Sequence, residues 1–259
     1  PQTVWIGLMN SPRFAPEKLT ALGKGYYGAS IMPVGVLKSL QKALPKVRLF
    51  NLYGQTEIAP VATVLKPEDQ IARAGSAGLA ALNVETRVVD DEGRDVAPGE
   101  VGEIVHRSPQ LMIGYFKDEE RTAEAFRDGW FHSGDLATRD ADGYITIVDR
   151  KKDMIKTGGE NVASREVEEA LYHLKGVKEV AVVGLPHPTW VEAVVAVVVR
   201  DGVTDISEDA VIAHCRDRLA PFKCPKKVIF VDQLPKNPSG KIMKRELRQT
   251  YAEAFEGAA

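Results

Sequence analysis

Cysteine is scarce in this chain: Cys215 and Cys224 are the only two among 259 residues. That excludes a disulfide framework. Neither thiol stands at metal-ligand spacing from a His, so both are expected to be reduced and inert. Long apolar runs are missing as well. The longest, Val191 to Val199, contains Glu192 and falls far short of a membrane span. The net charge is −2, which removes any bulk electrostatic argument for nucleic acid or an anionic membrane. No signal-peptide pattern follows Pro1, and no internal repeat or low-complexity tract is visible. The expectation is a cytoplasmic chain without a transmembrane segment, with peripheral membrane contact and homo-oligomerisation left open.

Hydrophobic residues make up 44%, enough for a core, and the length suits one large or two smaller domains. Val34, Leu37, Leu40 and Leu44 recur near helical spacing, so 34–44 reads as an amphipathic helix. Val47 to Tyr53 reads as a strand that Gly54 ends in a turn. From about Gly75 to Asp149 the texture changes to short β-like runs: Val84–Val89, Gly102–Val105 and Tyr144–Val148. After Asp149 it changes again. Glu166–Leu174 reads as a helix with Ser164 as N-cap, and Asp209–Leu219 and Lys244–Phe255 as two more helices. Val177–Val183 and Val191–Val199 read as buried strands joined by a Pro186-His187-Pro188 loop, with a further strand at Lys227–Val231. The fold class expected is α/β plus α+β. An α/β segment runs to about 74, a β-subdomain over 75–149, a charged hinge over 150–153 and a compact module over 154–259.

Four short segments carry chemistry. Tyr53-Gly54-Gln55-Thr56-Glu57 delivers an aromatic, a hydroxyl and a carboxylate side by side where a strand meets a turn. Phe131-His132-Ser133-Gly134-Asp135 follows, then Asp149-Arg150-Lys151-Lys152-Asp153, and near the end Pro238-Ser239-Gly240-Lys241. Any one of these alone would pass for an ordinary turn or a solvated charge run. The last is not a P-loop, because the spacing Gly-x4-Gly-Lys-Ser/Thr is absent.

In this order and spacing the four segments resemble those of the adenylate-forming enzymes, which include acyl-CoA synthetases, firefly luciferase and peptide-synthetase adenylation domains. The resemblance covers about Thr20 to Arg248. It implies that residues 1–149 are the C-terminal part of a large adenylation domain and 154–259 its small mobile C-terminal domain. The family's Ser/Thr/Gly-rich phosphate loop is not found upstream of Tyr53, so the resemblance also implies a missing N-terminal half of the same polypeptide.

The resemblance further implies site roles. Gly28, Ala29 and Ser30 pass beside the adenine, which Tyr53 faces, with Gly54 and Gln55 in the same ATP/AMP-binding segment. Thr56 approaches the substrate carboxylate or α-phosphate, and Glu57 helps to hold Mg²⁺, a cation suited to few carboxylates plus phosphate oxygens. Asp135 accepts the ribose hydroxyls, and Arg150 faces nucleotide hydroxyls or phosphate. Lys152 is the hinge. Lys241 is the catalytic lysine of adenylation, offsetting charge that builds in the transition state. Gly158, Gly159 and Glu160 line a pantetheine tunnel, while Trp190, Phe222, Lys223 and Lys226 face the coenzyme A nucleotide.

The implied activity is an ATP-dependent acid–CoA ligase, with a fatty acid favoured as the small-molecule carboxylic acid. ATP, Mg²⁺ and coenzyme A would be the cosubstrates and metal. The alternatives are an aryl-CoA ligase or other adenylation enzyme and, in another class, a non-catalytic nucleotide- or CoA-binding fragment. The chain by itself is expected to be inactive.

Overall fold

The computed structural model describes residues 2–28, 32, 34–238 and 240–256. Ala29, Ser30 and Ser239 lie outside the described residues. The chain divides into two compact units, residues 1–147 and 148–259.

The first unit is mixed α/β. After α1 (Gln2–Met9), strand β1 (Lys24–Gly28) leads through α2 (Val34–Ala43) to β2 (Arg48–Tyr53), which pairs with β1 in parallel. The helix forms as its pattern dictates. Leu37 and Leu40 are buried together with Tyr27, Leu44 and Leu49, whereas Lys38 and Lys42 stay off that face. Antiparallel β3 (Thr63–Leu65) and β4 (Leu79–Ala80) complete a four-stranded sheet.

A second sheet holds β5 (Glu85–Val89), β6 (Gly102–Arg107), β7 (Phe126–Arg127) and β8 (Trp130–Arg139), in the order β5-β6-β8-β7, with β9 (Ile145–Arg150) beside β8. Helix α3 (Glu119–Ala125) precedes β7, capped by the Asp118 side chain.

One buried group in this sheet titrates abnormally. His106 on β6 is 1% exposed; its Nδ1 meets Thr86 Oγ1 at 3.1 Å, while Nε2 has no hydrogen-bond partner among the described residues. Burial lowers its pKa to about 4, so the ring stays neutral in the fold. An unfolded chain would protonate it below about 6.5. The contribution is therefore fully present above that pH and is lost as pH falls toward 4, by up to about 3 kcal/mol. Replacing it in His106→Leu should flatten the pH dependence of β6 amide protection, measured by hydrogen exchange, between pH 6.5 and 4. An unchanged slope would remove His106 as the cause.

The second unit is α+β. Its strands β10 (Ile155–Thr157), β11 (Glu160–Val162), β12 (Val177–His187) and β13 (Val191–Arg200) lie in the order β11-β10-β13-β12, with β14 (Lys227–Phe230) parallel to β13. Both faces of the β12–β13 hairpin are covered, which explains its unbroken apolar sequence. Val180, Val182, Val194, Ala196 and Val198 pack in one cluster with residues of α4 (Ser164–Tyr172) and α5 (Glu208–Arg216). Ala181, Val183, Leu185, Val195 and Val197 pack in another with Leu247 of α6 (Lys244–Thr250), Tyr251 and Phe255.

Three local expectations are corrected. Strand β12 runs through Pro186 and His187 instead of ending before a loop. Pro is accommodated because β12 is an edge strand of this sheet, where a missing N–H costs no ladder bond. Ser164 is the first helical residue rather than the N-cap, and its hydroxyl is directed to Asp149 Oδ2 at 2.7 Å. Helix α6 ends at Thr250, not Phe255, because residues 251–256 continue as turns while still burying Tyr251 and Phe255.

Candidate active site

In the first unit, the turn after β2 and the β8 segment converge on one carboxylate. Asp135 is 5% exposed, and its Oδ2 accepts from Tyr53 Oη at 2.8 Å and from Gln55 Nε2 at 2.9 Å. Gln55 Nε2 also donates to the Ser133 carbonyl at 2.9 Å, tying residues 78 positions apart. Gly54 makes the turn possible: a Cβ there would lie 2.0 Å from the Pro60 carbonyl oxygen. Thr56 and Glu57 begin the short 3₁₀ turn Thr56–Ile58, with Thr56 exposed and Glu57 partly exposed. Gly28 ends β1, paired with Leu52 next to Tyr53.

The loop that presents Asp135 is itself braced. Ser133 Oγ donates to the Ile104 carbonyl (2.6 Å), and the Asp135 N–H donates to Ser133 Oγ (3.1 Å). The buried carboxylate of Glu103 accepts the Gly134 N–H at 3.1 Å and also meets His132 Nδ1 at 3.2 Å and Arg127 at 3.5 Å. His132 thus has a structural place beside Glu103. Neither Glu103 nor Arg127 stood out in the sequence. The available signal was a Glu between Gly102 and Ile104, just before the apolar pair Ile104-Val105.

In the second unit, Gly158 and Gly159 form the two-residue turn between β10 and β11, with φ of 59° and 87°. Such left-handed angles at both positions favour a Gly-Gly turn. Gly158 N–H donates to the Trp190 carbonyl at 2.9 Å. The Trp190 ring stacks on His187 at 4.2 Å, with Lys226 Nζ 5.0 Å from its centroid. The fold therefore gathers Gly158, Gly159, Trp190 and Lys226, with Glu160 exposed at the start of β11. Phe222 and Lys223 sit on the 3₁₀ turn Pro221–Lys223, where Lys223 Nζ is committed to Glu166 at 2.7 Å. Cys215 and Cys224 are both buried and unbridged, and burial raises the Cys215 thiol to about 12, so neither is a reactive thiolate.

Arg150 ends β9 and is exposed, and Lys152 is exposed on the turn Lys151–Asp153. Lys241, also exposed, closes a tight turn in which its N–H donates to Asn237 Oδ1 at 2.9 Å and its carbonyl accepts the Asn237 N–H at 2.9 Å.

Among the described residues, no group of three or more His, Cys, Asp or Glu is arranged to hold a metal. A single carboxylate, Glu57, fits Mg²⁺ that is held chiefly by nucleotide phosphate oxygens and water, and it does not fit a metal caged by protein alone.

The first unit thus holds a buried carboxylate braced beside an aromatic ring, and the second holds an exposed lysine on a tight turn. The chain belongs to the AMP-binding enzymes: that family matches residues 1–116, and the AMP-binding enzyme C-terminal domain matches residues 166–241. It is 42% identical over 250 residues to a feruloyl-CoA synthase of Amycolatopsis sp, covering 96% of this chain and 50% of that protein. It is 41% identical over 247 residues to a long-chain-fatty-acid–CoA ligase of Salmonella typhimurium, covering 95% and 43%. The crystal structure of ATP-bound MatB from Rhodopseudomonas palustris matches with a TM-score of 0.89 at 35% identity, covering 98% of this chain and 50% of that one. The chain spans about half the length of the curated relatives it matches. Among the described residues, no helix is long and apolar enough to cross a membrane.

Proposed function

We propose that this chain is the C-terminal part of an ATP-dependent acid–CoA ligase. The observation that carries the reading is Asp135: a buried carboxylate fixed by Tyr53 and Gln55 in the manner a ribose diol would require. Residues 1–149 are read as the end of the adenylation domain and 154–259 as the small mobile domain. Sequence outside this chain supplies the β,γ-phosphate cradle and most of the acyl pocket.

The reaction has two steps. The substrate carboxylate attacks the α-phosphorus of ATP, forming the acyl-adenylate while the α–β phosphoanhydride bond breaks and pyrophosphate leaves. The coenzyme A thiolate then attacks the acyl carbonyl, and AMP departs with the bonding electrons of the acyl–phosphate C–O bond. In the first step Tyr53, with Gly28, Ala29 and Ser30, borders the adenine. Thr56 meets the reacting oxygens, and Arg150 and Lys241 place cations where negative charge accumulates. Glu57 is the carboxylate for Mg²⁺, which when bound would screen the phosphate charge. In the second step Gly158, Gly159 and Glu160 admit the pantetheine arm, and Trp190, Phe222, Lys223 and Lys226 receive the nucleotide end. Lys223 would have to leave Glu166 to do so. Lys241 and the β10–β11 turn serve different steps from one unit, so a rotation about Lys152 between steps is part of the proposal.

A fatty acid is the first choice of substrate, supported by the long-chain ligase relative. An aryl acid is second, supported by the feruloyl relative. AMP binding by the chain tests the core of the reading. Asp135→Asn should weaken AMP about thirtyfold, since a hydrogen bond to a charged group is being degraded. It should leave the weak binding of 2′,3′-dideoxy-AMP unchanged. Equal losses for both nucleotides would detach Asp135 from the ribose. AMP release with ATP, Mg²⁺, CoA and a panel of short, long and aromatic acids, on this chain and on a longer polypeptide carrying it, identifies the acid.

A further inference from the structure

Between β6 and α3 the chain follows an irregular path, and that path closes on the turn bearing Glu57. Gln110 Nε2 donates to the carbonyls of Ile58 and Val61, each at 2.9 Å. The Met112 N–H donates to the Glu57 carbonyl at 2.8 Å. Leu111 packs against Ile58, Ala62 and Val84. These contacts hold the backbone of the turn.

A further bond in the same segment reaches the side chain instead: Tyr115 Oη donates to Glu57 Oε1 at 2.9 Å. Tyr115 is itself well fixed. The Arg121 guanidinium lies 4.0 Å from the Tyr115 ring centroid, and the Tyr115 N–H donates to Thr122 Oγ1 at 2.9 Å. Thr122 Oγ1 in turn donates to the Asp118 carbonyl at 2.7 Å, tying the tyrosine to the first turn of α3.

A Glu side chain on a partly exposed turn would otherwise sample several rotamers. With the backbone already held by Gln110 and Met112, the Tyr115 bond is left to select one of them. Resting on Glu57 as the Mg²⁺ carboxylate, we propose that Tyr115 is a positioning residue: it occupies Oε1 of Glu57 and leaves Oε2 to meet the cation of MgATP. Hydrogen bonds to ligating carboxylates commonly tune metal affinity by tenfold or more when removed.

The test uses calorimetry on the longer polypeptide that carries this chain together with the β,γ-phosphate cradle, with AMP in EDTA as one probe and ATP over a series of Mg²⁺ concentrations as the other. Tyr115→Phe keeps the ring over Arg121 and removes only the hydroxyl. It should raise the Mg²⁺ midpoint for ATP binding about tenfold and leave AMP binding in EDTA within about twofold of the parent. Glu57→Gln should abolish the Mg²⁺ response. A Tyr115→Phe chain with the parent's Mg²⁺ midpoint overturns the proposal. So does one that weakens AMP as much as MgATP, because the phenol would then be supporting the fold. A parent chain that binds AMP but ignores Mg²⁺, or a Glu57→Gln chain that still responds, overturns Glu57 as the metal carboxylate and Tyr115 with it. Asp135 and the AMP site would survive that result.

Discussion

Lys241→Ala should reduce acyl-adenylate formation by about 10²- to 10³-fold while leaving thioester formation from supplied acyl-adenylate within about twofold. The asymmetry follows from where charge builds. During adenylation an anionic carboxylate approaches an anionic α-phosphate, and the bridging oxygen to pyrophosphate gains charge as it leaves. A fixed ammonium is worth most there because the attacking carboxylate, the α-phosphate and the leaving oxygen all carry negative charge. In the second step a thiolate attacks a neutral carbonyl, and AMP departs as a phosphate dianion whose charge is spread over its terminal oxygens. The proposed rotation has by then brought the β10–β11 turn in place of Lys241, so the same lysine has less to offset. The local structure suits the role: the turn from Asn237 to Lys241 is closed in both directions by hydrogen bonds at 2.9 Å, which fixes the backbone while the side chain projects outward. Lys241→Arg should recover part of the loss, since charge is kept but the planar head differs from an ammonium. Pyrophosphate release and CoA-dependent consumption of acyl-adenylate, measured separately in the longer polypeptide, decide the matter. Equal loss in both steps would make Lys241 a structural residue.

Much of this arrangement could be read from the sequence, for physical reasons that differ by element. Helix α2 and strands β12 and β13 were legible because local periodicity and burial agree there: Leu37 and Leu40 share a face, and both sides of the Val-rich hairpin are covered. The misreadings come from partners distant in sequence. Ser164 looks like an N-cap in any local window, yet its hydroxyl serves Asp149, fifteen residues earlier. Residues 251–256 keep the apolar spacing of α6 after its hydrogen bonding has ended, so hydrophobicity alone overestimates that helix. The proposed site divides in the same way. Tyr53, Gln55 and Asp135 stand in recognisable segments, and the fold brings them together. Glu103 and Tyr115 brace those segments from 31 and 58 residues away, and no spacing rule links such pairs.

Lys244→Met should destabilise the second unit by about 3 kcal/mol at neutral pH. Lys244 on α6 joins two carboxylate-bearing elements. Its Nζ lies 2.8 Å from Glu168 Oε1 and 2.6 Å from Ser164 Oγ, and Ser164 passes its own proton to Asp149 Oδ2 at 2.7 Å. Asp149 also accepts the N–H of Ser164 at 2.5 Å and that of Arg150 at 2.8 Å. The segment entering the unit, helix α4 and the helix that follows Lys241 are thereby fastened to one another. Lys244 and Glu168 side chains are only 15% and 17% exposed, so water cannot replace a lost partner. Burial already raises the Glu168 carboxyl above its ordinary range, with Lys244 the main opposing influence. Without Lys244 that carboxyl should rise further, which fixes the sign of the pH effect. A raised folded-state pKa costs stability at high pH, and the cost is relieved as pH falls through that value toward the unfolded one. The deficit of Lys244→Met should thus be about 1 kcal/mol smaller at pH 5 than at pH 7.5. The double variant Lys244→Met/Glu168→Leu should recover part of the loss, because the unpaired Glu168 charge is removed while the Val182 N–H loses its acceptor. Urea unfolding followed by Trp190 fluorescence, in a background with Trp5 and Trp130 changed to Phe, isolates this unit. The midpoint should fall by about 2 M at pH 7.5. A deficit under about 1 kcal/mol, or one that does not shrink at pH 5, would show that water reaches Glu168 and that the pair is a surface contact.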